Sequence, residues 1–105
     1  MMRGEVWDLS LDPVKGSEQK GFRPCVIISP DSMNLALQTL IVIPLTTKHK
    51  NWPTRVDVHF DGVRGQAICE QIRTVSRERL MNKKGVLYLK ELLQIKLVLK
   101  QMFFD

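Results

Sequence analysis

Residues 39–46 (TLIVIPLT) and residues 24–29 (PCVIIS) are strongly apolar and rich in β-branched side chains. Stretches of this length and composition are typical of strands that are covered on both faces. Pro24 opens its stretch, where a missing ladder donor matters least, whereas Pro44 lies inside the other and indicates a strand end or a bulge. The sequence therefore predicts a β-sheet core built around these two strands.

Alternating segments lie on either side of this core. Residues 5–11 (EVWDLSL) and 54–60 (TRVDVHF) place apolar and polar side chains in turn, which predicts half-buried strands. Asp61-Gly62 follows the second of them and is a turn signal. Residues 12–23 hold two glycines, a proline and several charges, and read as a long loop.

Residues 66–75 (QAICEQIRTV) predict the last long strand. If no bulge intervenes, Gln71 and Arg73 share one face of it and Glu70 points to the other.

Three segments predict helices. A short one follows the turn at residues 30–34, with Asp31 or Ser32 as its cap. A second, within residues 76–84, is capped by Ser76. The long one covers residues 89–102, where apolar side chains recur at helical spacing and indicate core or dimer packing: Leu92, Ile95, Leu99 and Met102.

Five strands followed by a C-terminal helix predict a single α+β domain over residues 1–105, with a small, strongly bent sheet or barrel. No apolar stretch approaches the ~20 residues of a membrane span, and residues 1–5 have no signal-peptide pattern. We therefore expect a cytoplasmic protein.

Cys25 and Cys69 lie in strand-like sequence and predict buried core thiols rather than a metal site, because there is no CxxC pair.

The formal net charge is +5, and basic residues outnumber acidic ones in three segments, 13–23, 47–55 and 73–84. Cationic loops on a neutral scaffold form a phosphate-binding face if they converge. If they do not converge, they are ordinary solvated surface. The charge pattern alone favours neither interpretation.

Motifs along nearly the whole chain resemble the MazF/PemK family of toxins. They are Arg3-Gly4-Glu5-Val6-Trp7, Leu11-Asp12-Pro13, Gly16-Ser17-Glu18-Gln19, Arg23-Pro24, Pro44-Leu45-Thr46-Thr47, Glu70-Gln71-Ile72-Arg73-Thr74-Val75 and Arg79-Leu80. The resemblance implies an SH3-like barrel of the CcdB/PemK-like toxin fold and a homodimer. It also implies an endoribonuclease that cleaves single-stranded mRNA without metal or cofactor, and an acidic antitoxin of the MazE/PemI type.

RNA carries its own nucleophile, the 2′-hydroxyl. An enzyme that uses it needs a group to take that proton, a group to assist the leaving 5′-oxygen and positive charge for the phosphate. The expected products are a 2′,3′-cyclic phosphate and a 5′-hydroxyl end.

Three residues are the catalytic candidates. Arg23 stands where the loop enters a buried strand, and a guanidinium grips phosphate bidentately. Thr46 ends its strand with a hydroxyl that can donate to a phosphate oxygen. Glu18 matches a family carboxylate and can act as a base or orient Arg23. Some relatives pair an aspartate at the Glu70 position with an arginine two residues earlier, where this chain has Ile68, and that departure favours Arg23 with Thr46.

The RNA-binding candidates lie in two loops and on the last predicted strand: Ser17, Gln19, Lys20, Thr47, Lys48, His49, Lys50, Trp52, Glu70, Gln71 and Arg73. Trp52 beside two lysines either stacks on an unpaired base or anchors its loop to the barrel. His49 and His59 are interpreted chiefly as surface residues.

Two other functions share parts of this pattern. A gyrase-poisoning toxin of the CcdB type has the same fold but ends in Trp-Gly-Ile, whereas residues 102–105 read MFFD. A non-catalytic RNA-binding module has the same basic loops, and only an activity assay separates it from a ribonuclease.

Overall fold

The computed structural model describes residues 1–10 and 21–105. Seven strands and two helices lie in this part of the chain, with 3-10 turns at Cys69–Gln71 and Arg77–Arg79. In chain order they are β1 (Glu5–Ser10), β2 (Phe22–Ile27), α1 (Asp31–Ala36), β3 (Thr39–Thr46), β4 (Arg55–Phe60), β5 (Val63–Ile68), β6 (Arg73–Ser76), β7 (Leu80–Val86) and α2 (Leu89–Phe104).

The strands form one antiparallel sheet in the order β4-β5-β3-β2-β1-β7, and β6 also pairs with β3, on the edge opposite β2. The sheet curls so far that β4, at one end of this order, contacts β7, at the other. A strongly bent sheet with a C-terminal helix was predicted from the sequence, and the structure confirms it.

Strand β3 pairs with three other strands, because the strand on one of its edges changes along its length. Residues Thr39 to Val42 pair with β6, whereas Leu45 and Thr46 pair with β5. Pro44 falls in the gap between these two ladders, where the absent N–H leaves no hydrogen bond unmade on that side. The proline therefore marks the change of partner, and the strand continues past it to Thr46.

Alternation along the strands produces two buried clusters, one on each face. One packs under α2 and includes Val26, Ile43, Leu45, Val58 and Ile95. The other includes Leu9, Cys25, Ile27, Leu40 and Val42. Each fully buried aliphatic side chain of this size contributes roughly 1.5–3 kcal/mol.

Both cysteines are fully buried, as predicted. Burial disfavours the thiolate and raises the pKa of Cys25 and that of Cys69 to about 12.

The prediction of one strand over residues 66–75 is wrong. The chain leaves β5 at Ile68, turns through Cys69–Gln71 and starts β6 at Arg73. Both β5 and β6 pair with β3, so the turn ends the pairing with β4 and shifts the register along β3 by three residues. It also removes the alternation argument for Gln71 and Arg73.

The prediction of a helix over residues 76–84 is also wrong. Ser76 does cap a turn, since its Oγ accepts from the Glu78 N–H at 3.3 Å, but that turn is a 3-10 turn of three residues. The chain then becomes β7, because pairing with β1 buries Leu80 and brings Lys83 within 3.1 Å of Glu5. Among residues 1–10 and 21–105 the sheet thus has seven strands, whereas five were predicted for the chain.

Two smaller expectations also need correction. Phe22 and Arg23, predicted to end the loop, already belong to β2 because they pair with Ser10 and Leu9. The cap position of α1 is Pro30, so neither Asp31 nor Ser32 caps the helix. The Asp31 carboxylate instead accepts a hydrogen bond from the Arg3 N–H at 2.8 Å.

No helix in the described part of the chain is long and apolar enough to cross a membrane.

Candidate active site

Arg23 and Thr46 flank the same end of one ladder. The β2–β3 pairing reaches Cys25 opposite Pro44, and both candidates lie two residues beyond that pair. Continuing the register sets Arg23 opposite Thr46, with both side chains on the face that carries Cys25. Both residues are half-buried. A guanidinium and a hydroxyl therefore share one face where the paired strands end.

The Thr46 hydroxyl is oriented by its own loop. Its Oγ1 accepts a hydrogen bond from the Lys48 N–H at 3.1 Å. A hydroxyl has one proton to donate as well as lone pairs to accept. The bond from Lys48 uses one lone pair and leaves the proton of Thr46 available for an incoming oxygen.

Gln66 fixes the loop that follows Thr46, and the sequence analysis did not identify it. Its buried amide accepts from the Lys50 N–H at 2.9 Å and donates to the Lys50 carbonyl at 3.1 Å. The same Nε2 donates to Asp57 at 3.1 Å. Gln66 pairs directly with Thr46, so it lies on the face that carries the hydroxyl. No signal in the sequence identifies this role, because it depends on which strands lie beside each other.

Two open grooves are lined in part by Gln66. The first, about 290 Å³, is lined by Thr47, His49, Asp57, Arg64, Gly65 and Gln66. The second, about 350 Å³, is lined among others by His49, Lys50, Asn51, Trp52, Arg55 and Gln94. Four predicted RNA-binding residues, Thr47, His49, Lys50 and Trp52, are therefore brought together, and Lys48 is exposed beside them.

Trp52 is 49% exposed and lies close to two cations. The Lys50 ammonium is 5.1 Å from the ring centroid, and the Arg55 guanidinium carbon is 4.7 Å from it. Both distances are within the range of a cation–π interaction. Arg55 is another residue that the sequence analysis did not identify.

Glu70 is engaged by the protein itself. Its Oε2 accepts from the Arg55 Nε at 3.0 Å, and its Oε1 accepts from the Thr54 hydroxyl at 2.7 Å. Burial acts to raise the pKa of Glu70, but the hydrogen bonds from Arg55 and Thr54 outweigh it and hold the pKa below the ordinary value. The carboxylate is therefore ionised at neutral pH.

The remaining candidates are more scattered. Gln71 is exposed in the 3-10 turn, and Arg73 is exposed on β6 opposite Val42. Val42 is four residues from Thr46 on β3, which is about 13 Å along a strand. The predicted loop residues Ser17, Glu18, Gln19 and Lys20 lie outside the described residues.

The two histidines are each beside a carboxylate. The His49 Nε2 is 3.5 Å from Asp57, and the His59 Nδ1 is 2.6 Å from the buried Glu91. Within residues 1–10 and 21–105, no three His, Cys, Asp or Glu side chains form a group that can hold a metal ion.

The curled antiparallel sheet with a C-terminal helix is the CcdB/PemK-like toxin fold. The sequence matches the PemK-like, MazF-like toxins of type II toxin–antitoxin systems over residues 2–103, and the chain belongs to this family.

Relatives and solved structures agree with this assignment. The chain is 36% identical to endoribonuclease MazF9 of Mycobacterium tuberculosis, covering 95% of this chain and 93% of the relative. It is also 36% identical to the endoribonuclease toxin MazF of Escherichia coli K12, covering 87% and 82%. A mycobacterial endoribonuclease in complex with its cognate antitoxin superposes with a TM-score of 0.83 at 21% identity, covering 96% and 92%. MazF of Deinococcus radiodurans superposes at 0.82 and 23% identity, covering 100% and 97%.

Proposed function

We propose that this toxin is an endoribonuclease that cleaves single-stranded mRNA at particular sequences by making the RNA attack itself. The 2′-hydroxyl displaces the 5′-oxygen at the adjacent phosphorus, which leaves a 2′,3′-cyclic phosphate and a 5′-hydroxyl. No metal or cofactor takes part. The β2–β3 ladder ends at the Cys25–Pro44 pair, and Arg23 and Thr46 both lie two residues beyond it. The register continued to these two residues supports the proposal.

The three catalytic candidates have different roles in this reaction. The Arg23 guanidinium neutralises the phosphate as negative charge builds on its non-bridging oxygens. The Thr46 hydroxyl donates to one of those oxygens. Glu18 is the proposed base, or the group that orients Arg23.

The basic loop supplies the surface for the RNA chain. Lys48 and Lys50 neutralise phosphates, and Thr47, His49 and Trp52 line the grooves in which unpaired bases lie. Ser17, Gln19 and Lys20 contact the same strand from the first loop, whereas Gln71 and Arg73 contact it farther along the sheet. An acidic antitoxin that covers this cationic surface inhibits the toxin, and the active form is a cytoplasmic homodimer.

The test is cleavage of a single-stranded RNA in the presence of EDTA. We expect the purified protein to cut it and Arg23→Ala to lose at least 100-fold in rate, because one preorganised cation is removed from the transition state. Arg77→Ala, which removes another half-buried arginine near the opposite end of β3 from Thr46, serves as the control. Sequencing of 5′-hydroxyl RNA ends after induction identifies both the chemistry and the cut site. If EDTA abolishes cleavage, or the new ends carry 5′-phosphate, the proposal is wrong.

A further inference from the structure

Arg55 is a buried cation whose plane is fixed. Its side chain is only 7% exposed, and its Nη2 and Nε lie 2.9 and 3.0 Å from the same Glu70 oxygen. The other Glu70 oxygen is held by the Thr54 hydroxyl. A guanidinium held at two nitrogens has little freedom to rotate.

This fixed guanidinium lies over the Trp52 ring. The Arg55 N–H also donates to the Trp52 carbonyl at 3.1 Å, so the backbone and the side chain of Arg55 both hold the tryptophan. About half of Trp52 remains exposed, and it lines the 350 Å³ groove beside Lys50. An exposed ring that is rigidly held next to an exposed lysine is suited to stacking, since little conformational entropy is lost when a second ring lies on it.

We infer that Glu70 is a positioning residue: it acts through Arg55 to hold Trp52 as a stacking surface for one unpaired RNA base. The inference rests on the proposed ribonuclease function and deepens it. Glu70 then neither moves a proton nor contacts a base, because Arg55 and Thr54 already occupy both of its oxygens. Lys50 leaves the indole when the base arrives, and its ammonium pairs with a phosphate of the same nucleotide strand.

Fluorescence measures the stacking directly. The chain has two tryptophans, so Trp7→Phe leaves Trp52 as the single reporter. In that background we titrate a 2′-O-methyl RNA, which lacks the attacking hydroxyl and is not cleaved. We expect the Trp52 emission to be quenched on binding, and Trp52→Ala in the wild-type background to weaken binding by roughly 5- to 100-fold, the range measured for one stacked base.

The positioning role predicts a specific coupling between residues. Glu70→Gln and Arg55→Lys should each raise KM and reduce the quenching, with kcat within about 2-fold, because only the stacked base is lost. In Trp52→Ala, adding Glu70→Gln should change KM little further, since both remove the same interaction. Glu78→Gln, an exposed carboxylate elsewhere, is the matched control. If Glu70→Gln does not fold, Thr54→Val replaces it as a milder variant, because it removes only the hydrogen bond from Thr54 to Glu70.

The outcomes separate this inference from the proposed function. Cleavage without quenching, or additive effects of Glu70→Gln and Trp52→Ala, overturns the stacking role and leaves the ribonuclease standing. A fall in kcat with KM and quenching unchanged makes Glu70 an acid–base group instead. If the wild-type protein neither cuts nor binds RNA, the proposed function itself fails.

Discussion

The hydrogen bond that the Thr46 side chain makes indicates how its hydroxyl acts in the reaction. Its oxygen accepts from the Lys48 N–H, and its proton is free to be donated. Thr46→Ser keeps both features, whereas Thr46→Val keeps the shape and β-propensity but removes the hydroxyl. We expect Thr46→Val to lose roughly 100- to 1,000-fold in cleavage rate, the cost of one preorganised donor, and Thr46→Ser to lose less than 10-fold.

Single-turnover cleavage measures these rates, and circular dichroism checks that both variants fold. Equal loss in the serine and valine variants would show that the methyl group rather than the hydroxyl matters. Full activity in Thr46→Val would remove Thr46 from the mechanism.

The two buried thiols predict a pH limit on stability. Their folded pKa of about 12 lies above the ordinary value of 9.0, so the folded state keeps protons that the unfolded chain loses. The free energy of unfolding should be insensitive to these groups below pH 9 and should fall as the pH rises from there toward 12. Urea titrations between pH 8 and 11 measure it, and Cys25→Ala/Cys69→Ala should flatten the slope. An equal slope in that variant would assign the effect to other groups.

The same thiols were predictable from sequence, whereas Gln66 and Arg55 were not. A cysteine within an apolar strand is expected to be buried whichever strands lie beside it. The roles of Gln66 and Arg55 depend on which strand lies beside which, since their partners Lys50 and Glu70 are about 15 residues away along the chain. A single sequence shows composition and periodicity but not these cross-strand partners.

Among the secondary-structure elements, β4 and α2 were predicted well because one period continues from end to end. The break after Ile68 was missed because the stretch that follows contains neither glycine nor proline. The turn is held by tertiary pairing, with the Cys69 N–H donating to the Thr54 carbonyl at 3.2 Å. Likewise, the polar residues of β7 form a strand because they pair with β1. Local propensity does not reveal this pairing.

The β4–β5 hairpin supports the site through a glycine. Gly65 lies beside β3, and a Cβ there would overlap the Thr46 carbonyl oxygen and come within 2.7 Å of the Phe60 ring. Gly65→Ala should therefore push β3 away from β5, at a cost of about 1–3 kcal/mol. Because the displaced backbone is that of Thr46, we also expect a lower cleavage rate.

Thermal unfolding and single-turnover cleavage test this prediction together. Val63→Ala, an exposed position on the same strand, is the control for a mere change of side chain. An unchanged melting temperature in Gly65→Ala would show that the hairpin can move without cost. A large loss of stability with full activity would show that the position of Thr46 is not sensitive to β5.

On the scale of the whole molecule, α2 has more apolar surface than its own core uses. One side packs Ile95, Leu99 and Met102 against the domain, as predicted from the sequence, and it also buries Val98, which was not predicted. The other side exposes four large apolar side chains: Leu89, Leu93, Leu97 and Phe104. A 105-residue domain has a limited core, and association with a second copy is a common way to bury such a surface.

We therefore expect a homodimer in which a second copy covers this side of α2, where Leu93, Leu97, Lys96 and Lys100 border a groove of about 450 Å³. Light scattering after gel filtration should give twice the mass of the chain. Leu93→Lys/Leu97→Lys should shift the protein toward the monomer, because an unpaired charge is costly in an apolar interface. The control is Leu35→Lys, which adds a lysine at an exposed position on α1 and should stay dimeric. A monomeric wild type at tens of micromolar would contradict the prediction, and a dimeric double variant would place the interface on another face.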